Sequence, residues 1–268
     1  MVTAVRYVRR LCQGLFVSNA AASQGTRLFK GAAGAFVFRM IYTGLTFITG
    51  ILIAQVLGVT GFGTYNYVLT WVITLGIVAN VGFDNLIVRE IATYSTQSSW
   101  ELVRGILHYA NQVVFFLSSG IALAAIAVAW KLGVAENAQL FSAFCVAMVS
   151  LPIVALRNLT RGAIKGFNHV ALSLMPELLL APMILIVLVG SAYFFRSYQL
   201  TATWVTSFYS ISALITLFVA SLMLQRILPI EVQTAQRKYH VSRWVQSALP
   251  FIFLEGLYAV NAQIDILM

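Results

Sequence analysis

The stretch AAGAFVFRMIYTGLTFITGILIAQVL, residues 32–57, is apolar almost throughout and carries a single charge, Arg39. Coiled as an α-helix it reaches about 39 Å, more than the roughly 30 Å of hydrocarbon in a bilayer. Six further stretches have the same character: about 65–83, 106–130, 140–159, 170–195, 202–224 and 245–268. The gaps between them are short, and several carry glycine, as in Gly58-Val-Thr-Gly61-Phe-Gly63. The composition agrees, with 60% of residues apolar and 9% charged. A soluble domain carries about 25% charged residues. A soluble domain, a disordered tail and a disulfide scaffold are therefore excluded. The expected fold is an all-α, polytopic membrane bundle of about seven transmembrane helices.

The formal charge of +9 would suggest nucleic acid in a soluble protein. Here the placement of the cations decides otherwise. Fourteen of the seventeen Lys and Arg fall in alternate segments: the N-terminal tail, the gap around Arg89 and Arg104, the run Arg157–Arg161–Lys165, and the stretch 225–244. The remaining gaps hold only Lys131 and Arg196. Cytoplasmic loops are enriched in Lys and Arg, so the N-terminus is expected in the cytoplasm and nucleic acid is not an expected partner. Residues 1–30 form a basic cytoplasmic or interfacial segment, because Cys12-Gln-Gly14 interrupts the one apolar run that could serve a signal peptide. Residues 31–224 are expected to form a six-helix first lobe, 225–244 a basic cytoplasmic loop, and 245–268 the first helix of a second lobe. The last apolar run meets the final residue with no flanking polar residue, so the sequence is expected to be the N-terminal part of a longer chain.

An ionisable group within an apolar span is costly and marks a candidate site. At 100° per residue, Arg39, Thr43 and Thr46 share an arc of about 60°, with Tyr42 beside it. That face is either the wall of an aqueous cavity with a cation for phosphate, or a helix whose Arg39 snorkels to the headgroups. In the seventh span, Glu255, Tyr258, Asn261 and Asp265 lie within about 120°. Two acids on one such face favour an aqueous cavity over interhelical hydrogen bonding alone. Pro176, Glu177 and Pro182 near the start of the fifth span mark either a gating bend or a packed kink with Glu177 at the interface. Asp84, Arg89 and Glu90 are expected at headgroup level. Arg39 and Tyr42 recur at matching positions in the seventh span as Glu255 and Tyr258, a faint trace of an internal repeat. The three histidines are widely spaced, Cys12 and Cys145 stand alone, and no metal site, phosphate loop, dinucleotide loop or nucleophile elbow is present in the sequence. No cofactor and no enzymatic activity are expected.

Four segments in chain order carry a resemblance. They are Leu57-Gly-Val-Thr-Gly-Phe-Gly-Thr-Tyr65, Val81-Gly-Phe83 with Arg89-Glu-Ile-Ala92, Arg161-Gly-Ala-Ile-Lys-Gly166, and Leu249-Pro250 with Asp265. Together with the span count they resemble the polysaccharide flippases, which move O-antigen, teichoic acid and exopolysaccharide repeat units. That family belongs to the superfamily that also holds multidrug extruders. The resemblance covers residues from about 30 to 268. It implies two lobes of six helices, alternating access, the bacterial inner membrane, and a cargo of oligosaccharide on undecaprenyl pyrophosphate for surface polysaccharide such as lipopolysaccharide. A polysaccharide polymerase and chain-length machinery would be partners. The family pattern carries an Arg before the first Leu-Gly, where this chain has Gln55, leaving Arg39 as the first-lobe cation inside the membrane. On this reading Arg39, Tyr42, Thr43 and Thr46 bind substrate. Glu255, Tyr258, Asn261 and Asp265 line the cavity or bind a coupling proton or sodium ion, and Pro176, Glu177 and Pro182 gate. A cation-coupled multidrug antiporter of the same superfamily and an integral-membrane glycosyltransferase or polymerase are the rival readings.

Overall fold

The computed structural model describes residues 24–80, 82–195, 200–242, 244 and 246–248. These residues are almost wholly helical, and no strand occurs among them. The helices are α1 (Gln24–Asn80), α2 (Phe83–Thr96), α3 (Trp100–Lys131), α4 (Ala138–Gly166), α5 (Val170–Met175), α6 (Ala181–Phe195), α7 (Ala202–Ile227) and α8 (Ile230–Thr234). A π-helical turn, Pro176–Leu180, joins α5 to α6. Five stretches are long and apolar enough to cross a membrane: Phe36–Asn80, Trp100–Lys131, Ala138–Gly166, Val170–Phe194 and Ala202–Ile227. The protein is thus an all-α polytopic membrane bundle. The expected seventh span beyond residue 248, with Glu255, Tyr258, Asn261 and Asp265, lies outside the described residues, as does the N-terminal segment before residue 24.

The first two expected spans are two arms of α1 that meet at Gly58, where φ is 67° and ψ is −179°. Only glycine adopts that backbone readily. Counted from Phe36, each arm is about 33 Å long, one bilayer core. The anticipated loop at 58–64 is therefore a one-residue break followed by more helix. Both arms feed one buried cluster, Ile53, Tyr65, Leu185, Val189 and Val205, with Leu52, Val56, Phe62 and Leu69 packed against it.

Helix α4 is the hub and packs against α1, α2, α3 and α7. One layer of the core joins α3, α4 and α7 to the second arm of α1, through Val68, Val72, Ala122, Ala143, Met148, Leu151 and Ala213. The other joins α2, α3 and α4 through Leu86, Ile87, Ile91, Val103, Ile106, Ala155 and Leu159. Sequence reading left residues 84–99 in a gap. They form α2 because Leu86, Ile87, Ile91 and Tyr94 recur at helical spacing and bury one face. Glu90 is 3% exposed on that face, so its side chain is enclosed by the bundle, while Arg89 is exposed.

Two glycines let α2 approach α4. A Cβ at Gly162 would stand 2.7 Å from the Asp84 carbonyl oxygen, and one at Gly166 would stand 2.9 Å from the Ile91 Cβ. Small residues four apart give membrane helices this close approach. The physical reason for Gly162 and Gly166 in the family-like run is thus a helix contact.

The basic stretch 225–244 is also more than a loop. It carries α8 and folds back across the start of α3. The Lys238 amide donates to the Glu101 carbonyl at 3.3 Å, its Nζ pairs with Glu101 at 2.5 Å, and Trp244 donates its indole N–H to the Tyr94 hydroxyl at 3.0 Å. Trp244 is fully buried against Tyr109.

Candidate functional site

Arg157, counted above among loop cations, lies inside α4. Its side chain points into the bundle and the residue is 8% exposed. It stands about 13 Å along the helix from the Gly166 end, well within an apolar span. Arg161 follows one turn later on the same face. Both guanidiniums converge on Glu177. Arg157 Nη2 is 3.6 Å from Glu177 Oε1, and Arg161 Nη1 donates to Glu177 Oε2 in a tight contact. Two cations share one anion, so the cluster carries a net charge of +1. The Arg157 Nε is buried without a hydrogen-bond partner. A buried guanidinium with unused donors and a single shared carboxylate is poised to accept a further anionic group.

The backbone that carries Glu177 explains its position. Proline has no amide hydrogen, so Pro176 cannot continue the α-helical ladder. The chain widens into a π turn in which the Ala181 amide donates to the Pro176 carbonyl, five residues back. Such single turns are frequent at functional sites. Pro182 removes a second donor one turn on. The Ala181 carbonyl is taken by the Ser212 hydroxyl of α7 at 2.8 Å, and Ser212 is buried. The bend is therefore a packed feature, clamped by α7 and placing Glu177 opposite the α4 arginines.

Tyr209 of α7 packs against the buried cluster of Ile53, Tyr65, Leu185, Val189 and Val205. Tyr42 is half-buried on α1. Arg39, Thr43 and Thr46 are exposed on α1. The Thr43 hydroxyl donates to the Arg39 carbonyl at 3.0 Å, and Thr46 donates to the Tyr42 carbonyl at 2.9 Å. Each threonine hydroxyl is thus occupied by its own helix one turn back, with its lone pairs still open as acceptors. Sequence reasoning missed Arg157 because it was counted with the loop cations, although it falls within the apolar stretch 140–159. The usable signal was the four-residue spacing of Arg157, Arg161 and Lys165, a helical face continuing the fourth span. No cluster of three or more metal-ligand side chains occurs among the described residues.

The family described as polysaccharide biosynthesis protein matches residues 28–268 of the chain. No curated protein and no solved structure matches it significantly.

Proposed function

The chain belongs to the polysaccharide biosynthesis protein family, and from that premise we propose that it carries lipid-linked oligosaccharide repeat units across the bacterial inner membrane by alternating access. The observation that supports this reading is the net-positive Arg157–Arg161–Glu177 cluster inside apolar helices. A repeat unit on undecaprenyl pyrophosphate has a doubly charged head that hydrocarbon excludes. Arginine suits pyrophosphate because its planar fork gives paired, charge-assisted hydrogen bonds. In this reading Glu177 is a resident counterion that the incoming pyrophosphate displaces from Arg157 and Arg161. The Glu177 side chain turns about its own torsions between holding and releasing them, at a gating bend set by Pro176, the π turn and Pro182. Arg39 is a further cation along the path, and Tyr42, Thr43 and Thr46 offer hydroxyls to the sugars. Glu255, Tyr258, Asn261 and Asp265 would line the cavity in the second lobe and take a coupling proton or sodium ion. The N-terminus is cytoplasmic. Polymerase and chain-length machinery then use the delivered unit, and no covalent step is assigned to this chain.

The test is surface polysaccharide in cells whose own copy is deleted and replaced by variants at matched membrane abundance. Arg157→Ala and Arg39→Ala should each cut polymer on gels while lipid-linked repeat units accumulate. Wild-type polymer from Arg157→Ala at normal abundance would overturn the assignment of that residue. Normal polymer with resistance to cationic drugs lost would favour the antiporter reading instead.

A further inference from the structure

A cleft of about 650 Å³ lies where α3 begins and α7 ends, closed on one side by the chain that follows α7. Its lining includes Arg104, His108, Arg226 and Arg237, and no acidic residue. None of the three arginines forms an ion pair among the described residues; Glu101, the nearest acid in sequence to Arg104, is engaged by Lys238. The lining is apolar on the span side of these cations, with Leu107 and Leu222 among its residues. Three cations beside apolar side chains, at the ends of two membrane-spanning helices, are the complement of a phosphate that carries acyl chains.

The cleft is built, not a chance gathering of surface side chains. The half-buried Arg104 donates Nη1 to the Ala235 carbonyl at 2.7 Å, which fixes its guanidinium and leaves its other N–H groups for a ligand. The wall holding Arg237 is pinned to α3 through Lys238 and Glu101. Gly105 permits that docking, because a Cβ there would stand 1.9 Å from the Lys238 carbonyl oxygen. Arg226 and Arg237 are exposed at the mouth.

We propose that this cleft is a binding site for the phosphodiester headgroup of an anionic membrane lipid, with Arg104, Arg226 and Arg237 on the phosphate and the leucine wall against the acyl chains. The proposal stands apart from the transport reading, which uses the cluster around Arg157. Phosphate could also arrive free, as inorganic phosphate or pyrophosphate; the apolar lining favours the lipid.

The experiment uses the full chain purified in detergent and exchanged into nanodiscs of phosphatidylcholine with phosphatidylglycerol. Retained lipid is counted by native mass spectrometry, and affinity is read by titrating short-chain phosphatidylglycerol. Wild type should retain phosphatidylglycerol over phosphatidylcholine. Each surface cation is worth about a factor of five, so the double variant R226Q/R237Q should bind it about 30-fold more weakly. The charge-keeping R226K/R237K should stay within a few-fold of wild type, which separates lost charge from misfolding. Millimolar inorganic pyrophosphate should leave the bound lipid in place. Equal phosphatidylglycerol retention by wild type and R226Q/R237Q would overturn the proposal. Saturation by pyrophosphate with no preference for phosphatidylglycerol would overturn its lipid assignment.

Discussion

Neutralising Glu177 removes the one carboxylate that holds two arginines together, and its consequence can be worked from the geometry. Glu177 stands 3.6 Å from Arg157 and closer still to Arg161. Breaking a fully buried pair costs about 3–5 kcal/mol, because the remaining charge is left unpaired. The side chains of Arg161 and Glu177 are 32% and 25% exposed, so solvent screens part of this, whereas that of Arg157 is only 10% exposed. About 1–3 kcal/mol is therefore expected for Glu177→Gln, a drop of about 3–10 °C in the unfolding temperature of a chain this size. Arg157→Met should cost a similar amount, because the carboxylate then loses a partner. The double variant Arg157→Met, Glu177→Leu should recover part of the loss, since an apolar pair of similar volume often replaces a buried ion pair without penalty, while Arg161, its side chain 32% exposed, turns to solvent. Polymer production should nonetheless stay low in the double variant, because the anion site is gone. Thermal unfolding of the purified variants and gels of surface polysaccharide read the two effects separately. An unchanged unfolding temperature for both single variants, or a double variant no more stable than either, would mean that Arg157 and Glu177 are not energetically coupled.

Three further outcomes follow from close contacts. Gly162→Ala puts a methyl 2.7 Å from the Asp84 carbonyl and should cost about 1–3 kcal/mol, read as a lowered unfolding temperature. Gly105→Ala should lift the 235–244 segment off α3, seen as faster hydrogen exchange there and greater accessibility of Trp244 to a quencher. Gly58→Ala should strain the junction of the α1 arms by about 1–2 kcal/mol, since φ is positive there; a neutral effect on stability would mean that the break tolerates a side chain.

Fold class was legible in the sequence because bilayer thickness sets a length that composition reveals at once. Residues 32–57 alone require a membrane-spanning helix, and the glycine at 58 marks where it breaks. Amphipathic α2 was less legible, since half of its face is polar and hydropathy averaging sees a gap. Its signal was the helical spacing of Leu86, Ile87, Ile91 and Tyr94, the last of which waits for Trp244, 150 residues away, to cover it. The site divides in the same way. Glu177 beside Pro176 was visible as a charge and a bend within an apolar run. Arg157 was not, because a cation near a span end has the same appearance whether it faces headgroups or the bundle. Only the packing of α4 against α7 and the π turn tells these apart, and that information is tertiary. Arg39 shows the converse: its place in the first span was clear from sequence, and the fold leaves it exposed.

Transport of a pyrophosphate-linked oligosaccharide through the membrane is proposed to run through the Arg157–Arg161–Glu177 cluster. The most direct measurement is translocation of a fluorescent undecaprenyl-pyrophosphate oligosaccharide in proteoliposomes, scored by its accessibility to an external glycosidase. Wild-type protein should expose the inner-leaflet pool, and Arg157→Ala of equal abundance and fold should expose it at least tenfold more slowly. Equal rates for wild type, Arg157→Ala and protein-free vesicles would contradict the account.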